Sequence, residues 1–211
     1  MSNFNLALKL KSDNLTFFEI FSLTYIAIFN NIILIAPIVL LYLIFVKYDV
    51  SNYDMYLTII YIFTIEVLDY AIFKRRQKKF ISFMVAYVIM GFMMILFKVF
   101  IVFFIYFVYA ILIRGVNIKQ AAIVLKRMLS LNFVTIFFTN IVHIIIIAIL
   151  SGFITTFVIS NMNDVNITQE FLQNFVIKNT AYYNLAVHLV LAINSYVLYN
   201  YFERKNIIKG E

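Results

Sequence analysis

The chain has 211 residues, of which 64% are hydrophobic and 13% charged, and a mean hydropathy of +0.97 exceeds what the core of a water-soluble domain of this length absorbs. Four glycines, one proline and no cysteine exclude a Gly-rich phosphate loop, a thiolate nucleophile, a disulfide and a cysteine metal cluster. The net charge of +7 lies in short clusters beside apolar runs, where chain orientation and anionic headgroups account for it, so nucleic acid is not an expected partner.

Apolar runs of 15 to 27 residues recur from Ile20 to Phe202, the length at which a helix crosses roughly 30 Å of hydrocarbon at about 1.5 Å per residue. The expected fold is all-α and polytopic, a single membrane domain over residues 1–211. Its first span, Ile20 to Val46, follows Asn14 and Thr16, which can cap a helix ahead of Phe17, Phe18 and Glu19. Pro37 inside this span frees the carbonyl of Ile33 and predicts a kink there. The first apolar run is too long for a cleaved signal peptide and lacks a small-residue cleavage site, so it is expected to stay as an anchor. The second span, Tyr56 to Phe73, ends on the basic run Lys74, Arg75, Arg76, Gln77, Lys78, Lys79. The 34 residues from Phe80 to Ile113 would make one helix of about 51 Å, too long for the bilayer. They form either one tilted helix or a hairpin of two short arms, Phe80 to Leu96 and Val99 to Ile113. Phe133 to Ile159 and Tyr182 to Phe202 complete the set.

Six crossings compete with five, and the Lys and Arg bias favours six. With six and the N-terminus inside, 14 of the 17 basic residues fall on the inner face, leaving Lys47, Lys98 and Lys178 outside; five crossings would move Arg114, Lys119, Lys126 and Arg127 outward. The expectation is a bacterial cytoplasmic (inner) membrane protein with both termini cytoplasmic. Lys74, Arg75, Arg76, Lys78, Lys79, Lys119, Lys126 and Arg127 are the candidate basic patch for anionic headgroups.

Short amphipathic stretches are expected to lie in the interface. Asn117 to Ser130 places Ile118, Ala121, Ala122, Leu125, Met128 and Leu129 on one stripe. Asn3 to Lys11 places Phe4, Ala7 and Leu8 opposite Lys9 and Lys11, and Thr168 to Lys178 repeats the pattern for the outer leaflet. Aligning Lys11 with Lys126 puts Phe18 over Phe133, Thr24 over Thr139 and Ile26 over Ile141, a weak echo of a parallel repeat.

The layout of an amphipathic lead, two hairpins, the stretch IRGVNIKQAAIVLKRMLSLNFVTIFFTNIVHIIII and a last span ending LYNYFERKNIIKG resembles the YciC-like bacterial inner-membrane proteins. It also resembles the membrane domains attached to some glycerophosphoryl diester phosphodiesterases. The resemblance implies six helices and a membrane domain of uncharacterised role. Where the family often has a Pro-Gly pair in the middle hairpin, this chain has Leu96, Phe97, Lys98 and Val99. No phosphodiesterase catalytic region accompanies it, so that activity does not carry over.

Ionisable groups inside a span cost at least a few kcal/mol at the centre. Counted from the cytoplasmic ends, Glu66 and Asn140 lie about 10 Å deep, Asn194 about 12 Å and His143 about 15 Å. These four form the candidate intramembrane polar cluster. The sharp reading is a Glu66–His143 pair exchanging a proton near neutral pH; the plain one is interhelical glue. Asp69 reads as interfacial, close to the basic run. His188 reads as packed, and Tyr48, Tyr53, Tyr56, Tyr182, Tyr183, Tyr199 and Tyr201 as interfacial anchors. With two histidines and no His-Glu-x-x-His pattern, neither a metal, a cofactor nor an enzyme activity is expected. The expected function is non-catalytic, in envelope or membrane-complex organisation, with a membrane-protein partner or a second copy of the chain. The alternative is a small transporter or permease subunit using the Glu66/His143 layer.

Overall fold

The structure, a computed structural model, describes residues 2–10, 15–48, 53–74, 80–96, 101–160 and 169–204. Among them every element is helical: α1 (Asn3–Lys9), α2 (Phe17–Asn30), α3 (Ile32–Tyr48), α4 (Tyr53–Phe73), α5 (Phe80–Leu96), α6 (Ile101–Tyr109), α7 (Ile118–Ser160) and α8 (Gln169–Arg204). A π-helical turn, Ala110–Arg114, extends α6 and ends at Gly115, whose φ of 64° lets its N–H reach the Ile111 carbonyl. Thr16 caps α2 as expected, and Glu19 closes the reciprocal capping box by accepting the Thr16 N–H at 2.9 Å. Among the described residues three helices are long and apolar enough to cross a membrane, or four if α2 and α3 count as one broken span.

That first span bends by 79°, and the break is at Asn31, not Pro37, which sits inside α3. Asn31 turns its own N–H to Ile28 O at 3.1 Å, which leaves Ala27 O without its usual helical donor. The Asn31 side chain supplies one, with Nδ2 donating to Ala27 O at 2.9 Å, while its carbonyl accepts Leu34 N and Ile35 N to start α3. One residue thus closes one helix and opens the next.

The surface helices anticipated from periodicity are differently placed. Asn117 to Ser130 is the beginning of the 43-residue α7, about 65 Å long, and Thr168 to Lys178 overlaps the beginning of the 36-residue α8, about 54 Å long. Neither junction holds a glycine or proline to end a helix. The buried stripe of the first turns of α7 is Ala121, Val124 and Met128, set in the same core as α6, so this face is covered by protein; Ile118 and Ala122 point outward. In α1 the inward residues are Leu6, Ala7 and Leu10, while Phe4 and Leu8 face out. α1 runs back along α2, with Lys9 paired to Glu19 at 3.3 Å and Asn3 paired to Asn31.

Partner positions along α8 give each helix a direction. α4 runs parallel to it, because Tyr61 meets His188 and Asp69 meets Tyr196. α6 also runs parallel, with Tyr109 against Ala192 and Arg114 against Glu203. α2 is antiparallel (Leu15 to Tyr201, Thr24 to Asn194), α3 continues outward to Tyr42 at Ala181, and α7 is antiparallel (Asn140 to Asn194, Ile147 packed with Val187 and Leu191). α5 packs against both α6 and Ala110–Arg114. A single continuous helix would carry Ala110 about 21 Å beyond Leu96, so α5 and the segment Ile101–Arg114 pack against each other as the two arms of a hairpin. Its tip, with Lys98, lies outside the described residues.

α8 is the hub: every residue from Leu191 to Phe202 is buried, and it touches α2, α3, α4, α6 and α7. α7 is peripheral in its second half, where Ile145, Ile149, Leu150, Phe153, Ile154 and Phe157 face outward.

Candidate functional site

The buried stripe of α7 reads Ile136, Thr139, Asn140, His143, Ile147, helical spacing that puts three polar side chains between two isoleucines. Asn194 of α8 meets them. Its Nδ2 donates to Asn140 Oδ1 at 2.8 Å and lies 3.4 Å from Thr139 Oγ1, and its Oδ1 accepts from Thr24 Oγ1 of α2 at 3.1 Å. One fully buried amide therefore joins three helices with its donors and its acceptor all engaged. Thr24 and Thr139, which coincide in the sequence echo, flank this same amide. Thr139 returns its own proton to Thr135 O at 2.7 Å.

His143 adjoins the layer, stacked on Phe21 with ring centroids 4.5 Å apart and planes 10° from parallel. Its Nδ1 lies 3.2 Å from the Tyr25 hydroxyl, which donates in the tautomer that carries the ring proton on Nε2. Nε2 of His143 and Nδ2 of Asn140 are buried and have no hydrogen-bond partner among the described residues.

Three of the four residues grouped by depth thus come together on α7 and α8. Glu66 does not join their bonds: it is half-buried on α4, which packs on α3, α5, α1 and α8, and it makes its interactions with other groups. Counting residues from a membrane edge gives a level but not a position around the bundle, which is why the carboxylate was grouped with them.

Sequence reasoning missed a second set of bonds, on the α4 and α6 side of α8. Asp69 is buried rather than interfacial and accepts from the Tyr196 hydroxyl at 3.0 Å. Tyr61 and His188 share a bond of 2.8 Å, Tyr109 donates to Ala192 O at 2.6 Å, and Tyr42 donates to Ala181 O at 3.1 Å. Tyr199 and Tyr201 are core residues, not anchors at a boundary. One signal was available: Tyr61 and Asp69 on α4, and His188 and Tyr196 on α8, are each eight residues apart, so two parallel helices present matched partners at two levels.

Of the candidate basic patch, Lys74, Lys119 and Lys126 are exposed and Arg127 is half-buried. Lys74 ends α4 with φ 56° and sets its ammonium 5.3 Å from the centre of the Tyr70 ring. Arg75, Arg76, Lys78 and Lys79 lie outside the described residues. Among the described residues no group of three His, Cys, Asp or Glu side chains could hold a metal ion. The chain matches no family model, no curated protein and no solved structure.

Proposed function

We propose that this chain is a non-catalytic, six-pass protein of a bacterial cytoplasmic membrane that organises the envelope or a membrane complex through helix and lipid contacts. The observation that carries this reading is the Asn194 layer: its amides and hydroxyls bond one another across α2, α7 and α8, and among the described residues no carboxylate takes part. That is the chemistry of interhelical attachment, worth roughly 1 kcal/mol per bond in a bilayer, rather than of a proton path. Six passes are supported by the alternation of direction from the α2–α3 pair through α8. Lys9, Lys74, Arg114 and Lys119 gather at the α8 C-terminal end, while Lys47 and Lys178 lie toward the other, the bias expected if the first end faces the cytoplasm and anionic headgroups. The resemblance to YciC-like inner-membrane proteins supports the same placement.

The test is labelling of His143→Cys and Glu66→Cys on this cysteine-free chain with a membrane-impermeant thiol reagent, applied from each side of sealed vesicles. A dry layer leaves both silent. Labelling at either position, together with proton-linked flux lost in Glu66→Gln, would replace this reading with that of a small transporter.

A further inference from the structure

The bend between α2 and α3 is closed on its inner side and left open on its outer side. Inward, Asn31 is buried, and its amide both pairs with Asn3 and supplies a donor to the freed Ala27 carbonyl. Outward stands Asn30, exposed among Phe29, Ile32 and Ile33, which are exposed as well. The Leu34 N–H goes to Asn31 O at 2.9 Å, so the Asn30 carbonyl, its acceptor in an unbroken helix, loses that donor. The depth is that of the bilayer interior. Thr24 meets Asn194 and Tyr42 meets Ala181, and Asn30 lies between these levels, ten residues after Ile20 and sixteen before Val46 in the first apolar run. Hydrocarbon offers neither donors nor acceptors, and an amide with two N–H groups and a carbonyl is costly to leave facing it.

We propose that the outer side of this bend is the contact between two copies of the chain, the Asn30 amide of each donating to Asn30 of the other. A second copy is the occupant because the need is two-sided. The amide has to donate and accept, and a two-fold contact brings an identical amide to the same depth, where each does both. The Asn3–Asn31 pair, with bonds of 2.8 and 3.1 Å running in opposite directions, is the same chemistry within one chain. This deepens the proposed function by naming the chain itself as a partner, and it rests on that reading's placement of α2 and α3 across the bilayer.

The experiment is oxidative cross-linking of the full cysteine-free chain in lipid bilayers, with a single cysteine at Ile33→Cys beside Asn30 or, for comparison, at Ile154→Cys on the exposed face of α7. The expected result is a disulfide-linked dimer from Ile33→Cys at a yield several-fold above that from Ile154→Cys. Adding Asn30→Leu lowers the Ile33→Cys yield several-fold, while Asn30→Gln, which keeps the amide, leaves most of it. Equal yields at the two positions, or a yield at Ile33→Cys indifferent to Asn30→Leu, overturn the proposal. Phe29→Cys separates its failure from that of the reading beneath it. Reaction of that cysteine with a membrane-impermeant thiol reagent puts the bend in water and overturns the proposal and the placement of the first span together; silence there with no dimer at Ile33→Cys overturns the dimer alone.

Discussion

At the scale of single residues, Asn194 ties together more helices than the other positions of the polar cluster that the sequence singled out. Removing its amide takes the donor from the buried Asn140 carbonyl and leaves the Thr24 hydroxyl only its longer bond to Ile20 O at 3.5 Å. Asn194→Ala is therefore expected to cost roughly 1 to 2 kcal/mol in reversible unfolding from detergent micelles. Thr156→Ala, which removes only a bond to the carbonyl of Gly152 on the exposed face of α7, is expected to change little; equal losses in the two would show that the Asn194 bonds contribute nothing. Legibility at this scale was uneven for a physical reason. Asn140, His143 and Asn194 could be found because polar groups are rare in these apolar runs and because α7 and α8 are neighbours. The tyrosine bonds escaped notice because an amphipathic ring suits a headgroup boundary as well as a core, and composition does not distinguish them.

At the scale of elements, helix starts were legible where a side chain encodes them, as at Thr16 and Glu19, and helix ends were not where nothing interrupts the ladder. The continuity of α7 and α8 follows from what is missing at Ser130 to Phe133 and at Thr180 to Ala181: a residue that could stop a helix. The bend at Asn31 is the opposite case, since proline draws attention to position 37 while the break depends on an amide reaching Ala27 and on a partner 28 residues earlier, Asn3. Because the same side chain serves the hinge and the docking of α1, the two are expected to fail together. In Asn31→Ala, a nitroxide label at Asn5→Cys on the exposed side of α1 should become more mobile in its room-temperature spectrum. An unchanged line shape would mean that Leu6 and Leu10 alone hold α1 in place.

At the scale of the whole molecule, helix class and hydrophobic runs were plain from composition, but which helix lies at the centre was not. α8 has the most polar sequence of the long helices, and a centre rich in Asn, His, Ser and Tyr is what lets one segment bond to five others. The directions read along it predict that Lys119→Cys and Lys178→Cys react with an impermeant reagent from opposite sides of the membrane. Reaction from the same side would rule out six passes. This outcome is independent of whether the Asn194 layer is wet or dry, so topology and function can be judged separately.

The central position of α8 has a consequence for biosynthesis. It is the last of these helices to leave the ribosome, and on the order of 10 s separates the completion of α4 from that of α8 at ordinary rates of translation. Asp69 and Thr24 are in the nascent chain through that whole interval and Tyr109 and Asn140 join them during it, while the groups they bond belong to a segment not yet made. The bundle therefore closes only after insertion of its final segment. Until then the membrane insertion machinery, or lipid itself, must shelter the half-built polar faces from premature degradation.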